Sequence, residues 1–543
     1  MLKHLILVAS SSALLSTCVA ATAKQDPVPP RPPAPATETR PPDAGVPGAK
    51  AQEAMRSRKA AFGEGKKTEG DQRADVHVPH VEPPSPGADA RPRPRDHAER
   101  ADEAADLLDA ERSIYRPTVT RRDFATTMRD DVAAREGVSA RQQQLLQARY
   151  DLADRPRGGV MMSGGRKAVQ EGLRVKLAGG SWDELGAMTP DQIKTGDLFP
   201  EGFRSLPHVK HEVGGQVFPA EQIADIRRQE ARDLQRFDTE FDLPAYFTPE
   251  FPPPIFLQNH PELGDVSQGK LLTIKNYFAI MNGKLTPVQM EGLRLLLTPQ
   301  PQEEFNQTDD RKVSDPSLGV SCLDCHSNFH TNAAFHLTPD IRPQANRFRL
   351  DTSSLRGLFA QQIHGSKRSL RSVEDFTEFE QRTAYFNGDH VSAMRKGAFL
   401  PDRTNQVSLM AQMQNMIDFP PAPKLGVGGR LDPQLANEAE RRGEALFTVH
   451  CAQCHPAPYY LDQQMHDLKL DRFLGARVDN GHFNAGDGPI KTFTLRGIKD
   501  SPPYLHDGRL LTLEDTVEFF NLVLLLRLST QDKNDLVSFL LCL

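Results

Sequence analysis

The sequence has no long apolar run, few cysteines, almost no tryptophan and no large excess of charge of either sign. Among 543 residues there are six cysteines and one tryptophan, Trp182. The 66 basic and 72 acidic residues leave a net charge of −6, which gives no electrostatic reason to expect nucleic acid or an anionic membrane as a partner. No apolar stretch reaches the roughly 20 residues that a membrane-spanning helix needs. The chain is too long for one core, so several domains are expected.

The N-terminus is typical of an export signal. Lys3 supplies a positive charge, Leu5 to Leu15 a short apolar stretch, and Ala21-Thr22-Ala23 a cleavage site. We therefore assign residues 1–23 to a signal peptide and expect a periplasmic protein. The alternative is a lipoprotein signal that ends at Cys18, which would leave a lipid anchor on this cysteine and tether the protein to a membrane.

Two segments without chemical motifs follow. Residues 24–95 are crowded with proline, alanine, glycine and charge, and such a composition cannot bury enough apolar surface to offset the entropy lost on ordering. We predict a disordered linker there. Residues 96–263 mix helix-like and irregular stretches, and we predict an N-terminal extension domain of unassigned function that packs on the remainder of the chain.

Four of the six cysteines stand in two CxxCH pentapeptides. In this motif two thiols add to the vinyl groups of a haem, and the adjacent histidine becomes the proximal ligand of the iron. A zinc site would instead need the two cysteine pairs brought together, and a thioredoxin-like pair would not need the histidine twice. We predict two covalently bound haems c, attached through Cys322, Cys325, Cys451 and Cys454, with His326 and His455 as iron ligands.

An internal repeat surrounds the pentapeptides. Thr352-Ser353-Ser354-Leu355-Arg356-Gly357 matches Thr492-Phe493-Thr494-Leu495-Arg496-Gly497, and a helix is expected before and after each haem motif. We therefore predict a mainly α fold with two tandem class I cytochrome c-like domains, residues 264–425 and 426–543. By charge and by their equivalent positions in the repeat, Arg356 and Arg496 are candidates for binding the haem propionates.

The helix before the second pentapeptide carries Gly443, a small residue that would allow the C-terminal helix to approach closely. Downstream, Lys491 to Arg496 leads to Pro503-Tyr504-Leu505-His506-Asp507-Gly508. With the two pentapeptides, these motifs resemble the bacterial di-haem cytochrome c peroxidase superfamily, which includes the di-haem enzyme that matures methylamine dehydrogenase. The resemblance covers roughly Gly264 to Leu543.

The resemblance implies a division of labour between the haems. Peroxide would bind at the haem on His326, and the haem on His455 would store and deliver an electron. It further implies a peroxidase that reduces hydrogen peroxide with electrons from a small c-type cytochrome or a cupredoxin. A calcium ion between the domains and a dimer are left open.

Several positions depart from the pattern of this family. The distal ligand of the second haem, a methionine or tyrosine in relatives, falls on Phe520, which cannot coordinate iron. The iron of this haem could be five-coordinate, or Met465, His466 or a ligand from the N-terminal region could replace the missing ligand, although a hydrogen-bonding role is the favoured interpretation of His466. Relatives also have a tryptophan between the haems, where this chain offers only Tyr385 or Phe386.

The second departure concerns the group that transfers protons to peroxide. The glutamine and glutamate of the family fall on Val373 and Thr383. On the same predicted helix Glu380 lies within the apolar stripe, which makes it our catalytic candidate, with Gln381 at the edge of the stripe as a second candidate. A buried glutamate with a purely structural role is the alternative reading of Glu380.

Three histidines, His330, His336 and His364, are candidates for a removable sixth ligand of the first haem, although a loop histidine often bonds a propionate or the backbone instead. Two other functions stay in view. One is a di-haem oxidase that modifies a protein or an organic substrate, and the other is a non-enzymatic di-haem electron carrier.

Overall fold

The computed structural model describes residues 142–206, 215–232, 243–299, 321–337, 350–365, 370–383, 400–475, 477–479, 482–484 and 486–543, with isolated helical positions at 133, 136, 137 and 140. The predicted signal peptide, Cys18, the predicted linker, Tyr385 and Phe386 lie outside the described residues. Within the described part, no helix has the length and apolar character needed to cross a membrane.

Helices dominate the described part of the chain, which confirms the mainly α prediction. After a helical segment over residues 142–149, the helices are α1 (Trp182–Ala187), α2 (Pro190–Thr195), α3 (Ala220–Glu230), α4 (Tyr277–Met281), α5 (Pro287–Leu297), α6 (Cys322–Cys325), α7 (Val373–Thr383), α8 (Leu400–Gln414), α9 (Glu438–His450), α10 (Leu513–Val523) and α11 (Thr530–Leu540). Single 3-10 turns lie at Glu201–Phe203, Ala245–Phe247, Pro261–Leu263, Ser327–Phe329, Leu358–Ala360, Val427–Gly429, Leu470–Arg472 and Ile498–Asp500.

The strands are short and form small antiparallel sheets. They are β1 (Pro156–Met161), β2 (Ala168–Gln170), β3 (Gly215–Val217), β4 (Phe335–Leu337), β5 (Leu350–Asp351), β6 (Met465–His466), β7 (Arg477–Asp479), β8 (His482–Asn484) and β9 (Ile490–Lys491). The pairings are β1 with β2, β3 with β4 and β4 with β5, β6 with β9, and β7 with β8. The β3–β4 pairing joins the N-terminal region to the segment just after the first haem motif.

Several helices begin at residues whose side chains satisfy the first free backbone N–H groups. Asn437 before α9 accepts a hydrogen bond from the amide of Glu440 at 2.9 Å, and Thr512 before α10 accepts one from the amide of Asp515 at 3.2 Å. In both cases the acidic side chain bonds back to the capping residue, which completes a capping box. Each such cap stabilises its helix by about 1 kcal/mol, so local sequence fixes where these helices start.

A glycine in each half allows two helices to approach closely. A Cβ atom added to Gly443 of α9 would overlap the carbonyl oxygen of Asp535 in α11, and one added to Gly292 of α5 would overlap that of Leu409 in α8. The expectation for Gly443 is therefore confirmed. The same arrangement at Gly292 shows that the haem motif of each half follows a helix that is packed against a later helix.

The sequence repeat recurs in the backbone. Gly357 and Gly497 both have a φ of 72° and precede a 3-10 turn. A bridge between His364 and Leu370 in the first half corresponds to one between Tyr504 and Leu510 in the second. The duplication thus extends beyond the motif to the turn and helix that follow it, while the domain boundaries at 264–425 and 426–543 stay a prediction.

The N-terminal region shares a hydrophobic core with the second half of the chain. Tyr150 and Phe203 are buried in the same cluster as Phe447 and Phe519, and the rings of Phe203 and Phe519 meet edge to face with centroids 5.3 Å apart. The buried carboxylate of Asp515 accepts hydrogen bonds from the amides of residues 174 and 175. Residues of this region therefore help to build the fold around the second haem motif.

Candidate haem sites and the cavity between them

The second pentapeptide follows directly from α9, whose C-terminal capping residue is Cys451. The imidazole Nδ1 of His455 lies 2.8 Å from the backbone carbonyl of Tyr460. Burial lowers the pKa of His455, which favours the neutral form of the ring. A neutral ring that donates from Nδ1 to a carbonyl presents the lone pair of Nε2, which is how a histidine is oriented to bind a metal. The donor set at this motif therefore fits a c-type haem.

The first pentapeptide forms α6, and N-terminal residues hold it in place. Asp324, inside the motif, accepts two hydrogen bonds from the guanidinium of Arg232, at 2.8 and 2.9 Å. The same carboxylate accepts the amide of Ser321 at 2.7 Å, and the side chain of Gln222 donates to the backbone carbonyl of Asp324. Local sequence gave no sign of this clamp, because Arg232 lies far from the motif along the chain.

His326 and His455 line one continuous cavity of about 510 Å³. Cys451 and Cys454 also lie in its wall, whereas Cys325 is buried behind it in a small apolar cluster. The size falls in the range of cofactor sites, roughly 300–1,000 Å³. The structure thus brings the two predicted iron ligands, which are far apart in sequence, to the same internal space.

The two halves of the chain contribute different chemistry to the cavity wall. The first half supplies mostly polar side chains, among them Thr331, Asp351, Thr352, Ser353, Ser354, Gln361 and Glu380. The second half supplies mostly apolar ones, among them Phe447, Leu470, Val517, Phe519, Phe520, Leu524 and Leu536. The second half also contributes titratable side chains to the wall, among them His466, Lys491 and His506.

Glu380 lies in the cavity wall together with Phe376 and Phe379 of the same helix, α7. This matches the apolar stripe predicted from the 3.6-residue period. Its catalytic role is a proposal, because position alone does not establish proton transfer. Gln381 belongs to α7 as well, but its side chain lies outside what the structure describes.

Asp351 is a cavity residue that sequence reasoning missed. Its Oδ1 atom is buried and has no hydrogen-bond partner, while its amide donates to the carbonyl of His506 at 2.8 Å. Burial raises the pKa of this carboxyl group well above its usual value, and Asp507 raises it further. One feature of the sequence could have identified Asp351. It is a charged residue directly before the repeated Thr-x-x-Leu-Arg-Gly segment, and the equivalent residue in the second copy, Lys491, is charged as well.

The two arginines predicted to bind propionates make other contacts. Arg356 is buried, with Nη1 3.0 Å from the carboxylate of Asp500 and Nη2 2.7 Å from the carbonyl of Pro254. Arg496 donates to the terminal residue Leu543 at 3.0 Å. Neither arginine lines the cavity. The Nε atom of Arg356 is buried without a hydrogen-bond partner, and the propionate role of both arginines stays a prediction.

The histidines proposed as distal ligands are also placed. His330 has Nδ1 2.8 Å from the hydroxyl of Ser354 and Nε2 3.0 Å from the carbonyl of Asp500, so protein groups engage both ring nitrogens. His466 lines the cavity, with Nε2 2.7 Å from Asp462. His364 is buried outside the cavity lining, and the side chain of His336 lies outside the described residues.

Comparison with known proteins gives partial matches. A cytochrome-c peroxidase of Pseudomonas sp. is 28% identical over 154 residues, which cover 20% of this chain and 41% of that protein. The methylamine utilization protein MauG of Methylophilus methylotrophus is 27% identical over 127 residues, with coverages of 20% and 38%. MauG of Methylorubrum extorquens is 34% identical over 87 residues, with coverages of 15% and 24%. The chain thus spans about two fifths or less of the length of these relatives. No family model matches the chain.

Solved structures give weaker likenesses. A MauG-like protein associated with microbial copper homeostasis is 15% identical, with a TM-score of 0.32 over 48% of this chain and 90% of that one. Hydrazine synthase of Kuenenia stuttgartiensis is 20% identical, with a TM-score of 0.27 over 48% and 94%. Both scores are too low to support a shared fold. Over part of its length the chain is similar to cytochrome-c peroxidases and MauG proteins, which are relatives of the di-haem cytochrome c peroxidase type.

Proposed function

We propose that this protein is a periplasmic di-haem c-type peroxidase. It reduces hydrogen peroxide to water with electrons from a small c-type cytochrome or a cupredoxin. The observation that carries the proposal is the single cavity whose wall contains both His326 and His455 as well as the carboxylate-bearing Glu380. When bound, the haems supply the redox chemistry and the iron coordination positions.

The residues of the two motifs attach and orient these groups. Cys322 and Cys325, and likewise Cys451 and Cys454, provide the thioether links, and His326 and His455 provide the proximal nitrogens. The carbonyl of Tyr460 fixes the orientation of the His455 ring through a bond of 2.8 Å. Arg232 holds the first motif through Asp324. Both halves therefore position their histidine with groups outside the pentapeptide.

Reduction of one hydrogen peroxide to two waters consumes two electrons and two protons. A side chain next to the peroxide must therefore accept a proton from one peroxide oxygen and deliver it to the other, departing oxygen. Glu380 is the residue we assign to this task, because it is a carboxyl-bearing residue of the cavity wall, to which the first half also contributes polar side chains. Gln381 would act as a hydrogen-bonding neighbour.

A calcium ion between the halves is part of the proposal. The unpartnered, buried Oδ1 of Asp351 is a hard oxygen ligand of the kind that calcium prefers. The hydrogen bond from the Asp351 amide to the carbonyl of His506 places this carboxylate where the two halves meet. A dimer and a lipid anchor at Cys18 stay predictions.

Steady-state kinetics of the fully matured protein test the proposal. Reduced cytochrome c or reduced cupredoxin is mixed with peroxide, and oxidation of the donor is followed with and without enzyme. We expect peroxide-dependent oxidation of two donor molecules per peroxide. A protein that carries both haems but gives no such turnover, in the oxidised or the half-reduced state, contradicts it.

A second function is kept because relatives of this chain include proteins named MauG. A di-haem oxidase would consume peroxide slowly without oxidising the small donor and would modify a protein or organic substrate. Donor oxidation at twice the rate of peroxide consumption, as the two-electron stoichiometry requires, excludes it. A pure electron carrier would show neither activity.

A further inference from the structure

The sequence repeat assigns equivalent positions to Glu380 and Phe520. The interval that separates Gly357 from Gly497 also separates Leu370 from Leu510, and it separates Glu380 from Phe520. Glu380 lies in α7 and Phe520 in α10, the helix that follows the turn in each half. Both side chains line the cavity. The chain therefore presents a carboxyl group to the cavity in one half and a phenyl ring in the other.

The surroundings of Phe520 are apolar. Its ring packs edge to face on the buried Phe519, with centroids 5.4 Å apart. The same helix and the segment after it add further apolar lining, namely Val517, Leu524, Leu526 and Leu528. A charged ligand in such a place would lose its hydration without gaining a partner, whereas a neutral one would not.

Two cavity residues with metal-binding atoms, His466 and Lys491, are held by protein groups. The Nε2 atom of His466 is 2.7 Å from the carboxylate of Asp462, which lies four residues earlier in the chain. The ammonium group of Lys491 is 3.2 Å from the side-chain oxygen of Gln361. Moving either side chain to an iron would require breaking these contacts.

We propose that the iron carried by His455 keeps an exchangeable sixth position under the apolar wall at Phe520, and that this position takes small neutral diatomic ligands such as carbon monoxide. This rests on the proposed function, in that a haem must be attached at this motif. The two iron sites then differ in their neighbours: a carboxyl group serves the first, and a phenyl ring shields the second from charged ligands.

Carbon monoxide titration of the dithionite-reduced, fully matured protein tests the proposal. Total haem is measured separately as the pyridine complex, so a missing haem is distinguished from a closed iron. We expect two carbon monoxide molecules per two haems in the wild type. A stoichiometry of one in a protein with two haems overturns the proposal.

Variants at position 520 identify the residue responsible. Phe520→Met introduces a thioether that can bind the iron, and we expect it to lower the stoichiometry from two to one. Phe520→Leu keeps the position apolar without adding a ligand atom and serves as the matched control, with an expected stoichiometry of two. A Phe520→Met protein that still binds two molecules shows that this side chain does not face the iron, and overturns the assignment.

His466→Ala examines the main competitor for the sixth position. We expect this variant to bind two carbon monoxide molecules, as the wild type does. A wild type that binds one and a His466→Ala protein that binds two would make His466 the sixth ligand, and the open position would be disproved. Electron paramagnetic resonance of the oxidised wild type gives a second readout, in which we expect a high-spin signal from the His455 haem.

Discussion

The guanidinium of Arg232 donates two hydrogen bonds, of 2.8 and 2.9 Å, to the carboxylate of Asp324. Asp324 lies between the two cysteines of the first haem motif. Both side chains are almost fully buried, at 4% and 3% exposure. Glu230 also bonds Arg232, at 2.5 Å. The N-terminal region is therefore part of the support of the first haem site.

Removal of this clamp should destabilise the protein and impair the first site. For Arg232→Ala we expect a loss of about 3–5 kcal/mol in the free energy of unfolding, because a buried carboxylate loses its partner. Urea denaturation measures the loss, and mass spectrometry of the peptide that contains Cys322 measures haem attachment. Arg228→Ala, at a side chain that is 71% exposed, is the control and should change stability by less than about 0.5 kcal/mol. Equal free energies of unfolding for the two variants would contradict a structural role for Arg232.

Close contact of α9 and α11 predicts a penalty for any side chain at Gly443. For Gly443→Ala we expect a loss of about 1–3 kcal/mol, because the new methyl group overlaps the carbonyl oxygen of Asp535. Thermal unfolding of the haem-loaded protein measures it. Gly475→Ala is the matched control, since a Cβ there meets no atom within 4 Å. Wild-type stability of Gly443→Ala would contradict this helix packing.

If Glu380 transfers protons, replacing its carboxyl group by an amide of the same size should lower kcat strongly. Glu380→Gln keeps the size of the side chain but removes the acid, and kcat for peroxide reduction should fall by about 10²–10⁴-fold. Glu374→Gln, at an exposed position of the same helix, should retain wild-type kcat. Stopped-flow reaction of peroxide with each variant gives the rates. An unchanged kcat in Glu380→Gln would leave this residue with a structural role only.

The buried imidazole of His364 predicts how stability depends on pH. Burial, with a contribution from Lys491, lowers the pKa of His364 to about 4, while Glu374 and Asp375 oppose the shift. Because the unfolded chain binds this proton more readily than the folded one, the stabilisation is full above the ordinary histidine pKa of about 6.5 and is lost as the pH falls towards 4.

We therefore expect the free energy of unfolding to decrease between pH 7 and pH 4.5. The decrease should be shallower in His364→Gln, which has no proton to gain. Urea titrations of both proteins across this range provide the slopes. A slope in the variant as steep as in the wild type would show that other groups cause the pH dependence.

Short sequence motifs and the helical period predicted those features that depend on residues close together in the chain. The pentapeptides, the role of Gly443 and the cavity-facing position of Glu380 follow from short motifs and from the helical period. The Arg356–Asp500 pair, the Arg232–Asp324 clamp and the unpartnered Asp351 oxygen depend on segments that meet only after the chain has folded. The propionate role of Arg356 stays a prediction from its charge, whereas its contact with Asp500, in the other half of the repeat, could not be read from local sequence.

Contacts between distant segments also determine how the N-terminal region packs. The sequence predicted that this region packs on the remainder of the chain but not which residues meet, because the contact of Phe203 with Phe519 joins segments far apart in the chain. Neither residue stands in a motif. Only the packing shows that they belong together.

Intact-mass spectrometry of the exported, matured protein tests the central claim most directly, since that claim is two covalent haems seated on His326 and His455. We predict the mass of the processed chain plus two haems, and a loss of one haem in a Cys322→Ala/Cys325→Ala or a Cys451→Ala/Cys454→Ala variant. A colourless wild-type protein, or one that carries a single haem, would contradict the account.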